Sequence, residues 1–297
     1  MISAISFDNV LSFFISGLTT GGIFALSALG LVVVYRATGV LNFAQGAIGA
    51  VGSLTASQEF VDKGRNEYVG YLVAILIGVV LSLGYGRLYA PRLAHRDPVV
   101  KAIGTLGFAL ALLGLCGWRW TARIMSLDLP TDTTKFNISG VQVTLTRVLV
   151  IVLAVVVTVG VTALLQRTRT GLNMRALANE RELASMVGVN VTRAETVAWL
   201  ISGLLASITG LLFASVVQLE AASLTFLVIP AIAAALVGQL RSLWWTLAGA
   251  MIIGVVESEL TNFDSVKSYK VLTELIIGAG VVLFIHRSRT VSFQPET

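Results

Sequence analysis

Charged residues are scarce in this chain. Asp, Glu, Lys and Arg make up 12% of its 297 residues, whereas soluble globular domains carry about a quarter. Hydrophobic residues make up 56% and the mean hydropathy is +0.85. These values exclude a soluble domain and predict an integral membrane protein with lipid as a partner. The net charge of +5 comes from basic residues in particular loops, so we expect no nucleic-acid partner.

Residues that catalyse reactions or bind metals are also few. The single Cys116 can form no internal disulfide, and the two histidines have no metal-ligand spacing. No Ser-His-Asp, Cys-His or HExxH set can be assembled, so we expect neither an enzyme nor a metal site. None of the five lysines follows a glycine, which excludes a Walker A loop. We therefore expect no cofactor on this chain; any ATP and Mg²⁺ would be bound by partner subunits.

Long, nearly uncharged runs fill most of the sequence. They do not alternate with period two, which favours helices over a β-barrel. We predict an all-α integral membrane protein, a single transmembrane domain over residues 1–297 with about 8–9 transmembrane or re-entrant helices. The first run lacks a basic n-region and a cleavage site, so we expect a retained span. The runs cover residues 10–35, 69–83, 103–117, 148–165, 194–219, 226–240, 243–256 and 271–285.

Basic residues concentrate in three loops, at residues 87–101, 167–193 and 287–289. The positive-inside rule places all three in the cytoplasm. Two spans between the first and second loops return the chain to the same side, as this placement requires. Counting backwards puts the N-terminus outside.

The stretch 226–256 is interrupted by Gln239, Arg241 and Ser242. Each arm of about 15 residues rises only about 22 Å, short of a full bilayer. One interpretation is a re-entrant hairpin with these residues at its tip, since broken helices often lie near a translocation pathway. The other is a pair of ordinary tilted spans.

A polar cluster follows the first run. Asn42 and Gln45 carry uncharged amides, and Gly46, Gly49 and Ser53 continue from them at helical spacing as a stripe of small residues. These five residues are candidates for lining a solute pathway. The alternative is that the two amides cap or cross-link helices. A second close-packing face is formed by Gly17, Gly21 and Gly22.

A polar island at residues 167–193 stands out between the apolar runs. Residues 173–187 are rich in helix formers, with Gly171 and Gly188 as start and stop signals. The spacing predicts a short amphipathic cytoplasmic helix, whose mixed charge suits a protein groove better than an anionic membrane surface. Its predicted apolar face contains Met174, Leu177, Ala178, Ala184 and Val187, and its polar face Arg175, Glu180, Arg181 and Glu182.

Nearly the whole chain resembles the permease subunits of ATP-binding-cassette importers of the branched-chain amino-acid type. The motifs that carry this resemblance are the first span with its Asn42-Phe-Ala-x-Gly46 continuation, Tyr89-Ala-Pro-Arg92, the island, and the span with Ser202-Gly203. The island residues that match are Gly171, Arg175, Ala176, Ala184 and Gly188.

The resemblance implies a bacterial cytoplasmic-membrane protein that works by alternating access. Its expected partners are a second permease subunit, two cytoplasmic ATPase subunits and an extracytoplasmic solute-binding protein. The island would be the coupling helix that docks on an ATPase. The residues expected to form that contact are Gly171, Arg175, Ala178, Glu180, Arg181, Ala184 and Gly188.

Two segments depart from the family pattern. Where relatives usually read NFAHGE, this chain has Gln45 and Ala47; where they usually read GGxGSxxGA, it has Gly238-Gln-Leu-Arg241-Ser and bulky residues. Branched-chain or other hydrophobic amino acids are the first expectation for the solute, with urea, short amides or small organic acids next. A self-sufficient channel for a small neutral solute is the alternative function, since the predicted pathway is uncharged.

Overall fold

The structure is a computed structural model that describes residues 7–94, 96–120, 127, 129–138, 141–179, 181–217, 220–260 and 280. The predicted last span at 271–285 and the basic tail therefore lie outside the described residues, apart from Gly280. The helices are α1 Phe7–Thr38, α2 Gln45–Ala56, α3 Glu67–Leu88, α4 Ala90–Leu93, α5 Pro98–Trp120, α6 Leu145–Arg167, α7 Arg169–Asn179, α8 Arg181–Met186, α9 Val191–Val216, α10 Ala221–Phe226, α11 Val228–Val237 and α12 Leu243–Leu260.

Shorter elements complete the described chain. A π-helical turn, Ser57–Val61, extends α2, and a 3₁₀ turn covers Pro130–Thr133. Strands β1 (Lys135–Ile138) and β2 (Val141–Thr144) form an antiparallel hairpin before α6. The sequence analysis did not predict this hairpin.

Five described helices are long and apolar enough to cross a membrane: α1, α3, α5, α6 and α9. The predicted all-α membrane fold is confirmed; the total of 8–9 crossing or re-entrant helices stays a prediction. Within the bundle, 89% of the most apolar stretch of α1 and 78% of that of α9 are buried, against 22–33% for the other three. Helices α1 and α9 therefore lie at the centre of the bundle. Helices α3, α5 and α6 present apolar side chains outwards.

Glycines bring the inner helices into backbone contact. A Cβ atom at Gly17 would lie 2.6 Å from the Cα of Val255, and one at Gly21 would lie 2.7 Å from the Cα of Met251, so α1 and α12 touch along this face. Gly22 faces Val150 of α6. The predicted close-packing role of these three glycines is confirmed. Small residues are the usual means of packing helices in lipid. The hydrophobic effect does not drive helices together there, so association depends on close van der Waals contact.

Contacts between helix ends define one end of the bundle. Arg119 at the end of α5 pairs with Glu59 at 2.7 Å, and Ser215 at the end of α9 donates to Asp132 at 2.8 Å. Glu59 also pairs with Lys63. The hydrogen bond from Lys63, followed by the positive charges of Lys63 and Arg119, holds the pKa of Glu59 below its ordinary value. The mixed charge of this end fits the outer side.

Three arginines come together at the opposite end. Arg36 at the end of α1 shares a cavity with Arg175 of α7 and Arg241 before α12. Gly86 near the end of α3 packs on Trp199 near the start of α9. The positive-inside rule makes this end cytoplasmic. The predicted directions of α1, α3, α6 and α9 agree with these contacts.

The segment between α11 and α12 lies at the cytoplasmic end. Gln239 and Leu240 have φ values of 53° and 55°, in the left-handed region. From this tip, α12 runs beside α1 until the Ser258 hydroxyl donates to the carbonyl of Phe13 at 2.8 Å. The second arm is therefore an 18-residue helix that follows α1 towards its outer end. The re-entrant hairpin, with Gln239, Arg241 and Ser242 at its tip, stays a prediction.

We expect Gln239→Gly to stabilise the protein. Gln239 stands where the resembled family usually carries glycine, and a non-glycine residue in the left-handed region costs about 1–2 kcal/mol. Glycine's greater freedom in the unfolded chain offsets about 0.5–1 kcal/mol of this, leaving a gain of up to about 1.5 kcal/mol. Thermal unfolding in detergent measures the change. Gln142→Gly in strand β2, where the backbone is extended, is the control and should lower stability; equal shifts for both variants would contradict the strain at Gln239.

Candidate coupling and translocation sites

Asn42 and Gln45 form a buried hydrogen-bond network with α9. The Asn42 amide donates to the Gln45 carbonyl oxygen at 3.1 Å, and the Ser202 hydroxyl donates to the same oxygen at 2.6 Å. Gln45 in turn donates to the backbone carbonyl of Ser202 at 3.2 Å. Both amides are 1% exposed. Buried amides are normally satisfied in this way, and here the network joins the start of α2 to the middle of α9.

Two neighbouring helices hold this network in place. Gly30 of α1 leaves the space that the Gln45 side chain fills, since a Cβ at Gly30 would collide with the Gln45 amide nitrogen. Thr105 of α5 accepts a hydrogen bond from the backbone N–H of Phe43 at 3.2 Å and donates to the carbonyl of Leu41 at 2.8 Å. Backbone groups of the non-helical segment between α1 and α2 thus find hydrogen-bond partners inside the bundle. Irregular backbone at membrane depth requires such partners within the protein.

The small-residue stripe of α2 packs directly on other backbones. Gly46 contacts the carbonyl of Leu224 in α10, and a Cβ at Gly49 would lie 2.5 Å from the carbonyl oxygen of Ala206 in α9. Ser53 donates to the carbonyl of Gly49 at 2.9 Å and is fully buried. The bonds of Asn42 and Gln45 to α9 are of the kind that the cross-linking alternative describes, and neither cavity reported below includes the five candidate residues. Their role in lining a pathway stays a prediction.

The polar island is helical over Arg169–Asn179 (α7) and Arg181–Met186 (α8), and residue 180 between them lies outside the described residues. Thr168 begins α7 by accepting a hydrogen bond from the N–H of Gly171 at 3.1 Å, so Gly171 lies inside the helix and the prediction that it precedes the helix is wrong. Gly171 packs tightly on the backbone of Leu165 in α6. At the other end, Gly188 has a φ of 87° and follows the last turn of α8, which fits its predicted role as a stop signal.

The predicted apolar face of the island is divided between two environments. Met174 and Leu177 of α7 and Ala184 of α8 are buried in the core. Ala178 lies at the exposed edge of that face. Val187 is 81% exposed, because α8 ends at Met186 and the chain leaves the helical face. Its predicted place on the same helical face as Met174 and Leu177 is therefore wrong.

Exposed apolar side chains form a separate surface on α8 and in the turn that follows it. Leu183, Met186 and Val187 are 60%, 79% and 81% exposed. We call these three residues the α8 surface. Helix α7 packs on α1, α6 and α9, and α8 follows it in the chain. The island is thus anchored through α7 and presents α8 at the cytoplasmic end; Glu180 lies outside the described residues, and Arg181 begins α8.

Three arginines from distant parts of the chain surround one cytoplasmic cavity of about 240 Å³. Arg36, Arg175 and Arg241 line it together with polar groups and the start of α12. None of the three guanidinium groups donates a hydrogen bond to a residue that the structure describes, and the buried Nε of Arg175 is without such a partner. We call this the arginine cavity. The remaining lining residues are Thr162, Leu165, Gln166, Ser242, Leu243 and Trp244.

The sequence analysis did not predict the arginine cavity. Arg175 was assigned to the ATPase contact and Arg241 to the hairpin tip, and no spacing in the sequence connects them with Arg36. Their convergence depends on the antiparallel packing of α1 and α12. A second, more open groove at the same end contains Arg87 and Arg193.

Comparisons with known proteins match most of the chain to transport permeases of one kind. Residues 13–285 match the family described as "Branched-chain amino acid transport system / permease component". A Methanocaldococcus jannaschii protein named "Probable branched-chain amino acid transport permease protein LivH" is 30% identical over 249 residues, covering 80% of this chain and 77% of that protein. The high-affinity branched-chain amino acid permease protein BraD of Pseudomonas aeruginosa is 26% identical over 82% of this chain and 84% of its own length. LivH of Escherichia coli is 21% identical, covering 90% and 93% of the two chains.

Proposed function

Since this chain belongs to the branched-chain amino acid transport permease family, we propose that it forms one half of a membrane pathway that imports a branched-chain amino acid. The second half would be another permease subunit, and an extracytoplasmic binding protein would deliver the solute. The chain is a membrane protein, as the composition predicted, and its family is the one that the motifs indicated. ATP would be hydrolysed by separate cytoplasmic subunits, so this chain performs no covalent chemistry.

The observation that carries the proposal is the α8 surface. It places three exposed apolar side chains at the cytoplasmic end, on α8 and in the turn after it, next to α7, which packs on the core. An exposed apolar cluster in water at the end of a membrane bundle is typical of a protein contact. We propose that Leu183, Met186 and Val187 insert into the ATPase subunit, with Arg181 and Gly188 at the two ends of the inserted helix.

This geometry changes the proposed roles of two other island residues. Arg175 lines the arginine cavity beside α1, so in this proposal it would face the membrane helices rather than the ATPase subunit. Gly171 allows α7 to approach α6 closely. Both would transmit movement of α8 to the membrane helices, because α7 contacts α1, α6 and α9.

The pathway would open where α2 meets its neighbours. In the described state Gly46 packs on the backbone of α10 and Gly49 on the backbone of α9. Alternating access requires two arrangements of packed helices with different exposure of the solute site. We propose that α2 separates from α10 in one of these arrangements and exposes Asn42 and Gln45 to the solute.

We expect solute uptake to require the complete transporter. Proteoliposomes that contain this chain, its partner permease and the ATPase subunits, with the binding protein outside and ATP inside, should accumulate radiolabelled leucine. Unlabelled valine should compete and urea should not. Vesicles with this chain alone should show no flux above empty vesicles.

Two outcomes would contradict the proposal. Saturable leucine flux through the chain alone, without ATPase subunits, would indicate the channel that the uncharged pathway also permits. ATP-dependent uptake of urea or a short amide in place of leucine would keep the importer and reject the amino acid as its solute.

A further inference from the structure

The arginine cavity concentrates positive charge without a described counter-charge. Arg36 lies in the last turn of α1, Arg175 lies in α7, and Arg241 precedes α12. No carboxylate is among the residues that line the cavity. Like charges in a partly buried site repel each other more strongly than in water, so this arrangement favours an anion between them.

Other groups in the cavity also suit an anion with several oxygen atoms. The Thr162 hydroxyl and the Nε of Arg175 are buried and have no hydrogen-bond partner among the described residues. The cavity also includes Ser242, Leu243 and Trp244 at the start of α12. The first N–H groups of a helix lack intrahelical acceptors and favour negative charge. Guanidinium groups bind phosphate oxygens through paired hydrogen bonds.

The surroundings place the cavity at the level of lipid headgroups. Trp244 lines it and is 50% exposed, and the adjacent Trp245 is 66% exposed. Tryptophan side chains at helix ends are typical of the membrane–water interface. Val159, one turn before Thr162 on α6, is 49% exposed and offers apolar surface on the membrane side. Basic pockets between helices on the cytoplasmic side are typical headgroup sites.

We propose that the arginine cavity binds the phosphate group of an anionic phospholipid from the cytoplasmic leaflet, with the acyl chains along α6. The bound phosphate would neutralise Arg36, Arg175 and Arg241 and connect α1, α7 and α12. This site is separate from the proposed solute pathway and from the α8 surface, so its test does not depend on transport.

Native mass spectrometry of the full chain in a non-ionic detergent tests the proposal with phosphatidylglycerol as the probe. Arg241→Gln is the main variant because Arg241 is exposed and its loss should not prevent folding. One arginine near a membrane surface contributes about 1 kcal/mol to binding anionic lipid, so we expect about fivefold weaker binding of the lipid. Arg241→Lys should retain most of the phosphatidylglycerol binding. The matched control is Arg87→Gln, which removes a charge from the separate groove and should leave phosphatidylglycerol binding unchanged.

Four results would overturn the proposal. Equal loss in the Arg87 and Arg241 variants would indicate only a general attraction of charge. Binding of phosphatidylethanolamine as tight as that of phosphatidylglycerol would exclude recognition of an anionic lipid. Displacement of the lipid by millimolar inorganic phosphate would indicate a site for the free anion. Displacement by the ATPase subunit would assign the cavity to a protein contact.

Discussion

Met186→Asp is expected to release the ATPase subunit and abolish ATP-driven uptake. Met186 is 79% exposed on the α8 surface and would be buried in the complex. Loss of a central interface side chain costs about 2 kcal/mol or more, which weakens association at least about 30-fold. A charge buried without a partner adds to this cost. Copurification of the ATPase with the tagged permease, together with stimulated ATP hydrolysis, measures the effect.

Leu172→Asp provides the matched control for this experiment. Leu172 is also an exposed apolar residue of the island, at 58%, but it lies in α7 rather than on the α8 surface. We expect it to leave ATPase copurification within about twofold of the unsubstituted chain, a change under about 0.5 kcal/mol. Equal loss in both variants would assign the contact to the whole island. Unchanged copurification with Met186→Asp would place it elsewhere.

Gly49→Leu is expected to prevent folding of the bundle. A Cβ at Gly49 would lie 2.5 Å from the carbonyl oxygen of Ala206, and one at Gly210 would lie 2.5 Å from the carbonyl oxygen of Gly49. Both obstacles are backbone atoms, so α2 and α9 would have to separate. Overpacking a well-packed core costs about 1–3 kcal/mol, and we expect the upper end or more because four side-chain atoms are added. Fluorescence-detected size exclusion and thermal unfolding in detergent measure the loss.

An exposed glycine provides the matched control for Gly49→Leu. Gly107 of α5 has no atom within 4 Å of an added Cβ, so Gly107→Leu should leave the unfolding temperature nearly unchanged. Full stability of Gly49→Leu with loss of uptake would contradict the packing argument. That outcome would favour the pathway role that the sequence assigns to Gly49.

The sequence predicts best where composition determines the environment. Scarce charge and long apolar runs predicted the membrane fold, and loop arginines predicted which helix ends share the cytoplasmic side. Small residues at helical spacing predicted that Gly17 and Gly21 pack closely, because only backbone contact explains such a face in lipid. These inferences depend on local patterns that tertiary contacts do not change.

Predictions failed where the outcome depends on distant partners. Amphipathic spacing placed Val187 with Met174, but the pattern does not show that the helix ends at Met186. Gly171 was interpreted as a helix start, although its lack of a side chain serves the contact with α6. The meeting of Arg36 with Arg241 could not be predicted, since it depends on residues about 200 positions apart.

The backbone contact between α1 and α12 also has a consequence for biosynthesis. Gly21 enters the membrane with the first helix, whereas its contact residue Met251 follows 230 residues later. At about 5–20 residues per second, the ribosome needs about 12–46 s to make the intervening chain. During that interval the glycine face of α1 lacks its final neighbour, and a chain terminated before α12 would never acquire it.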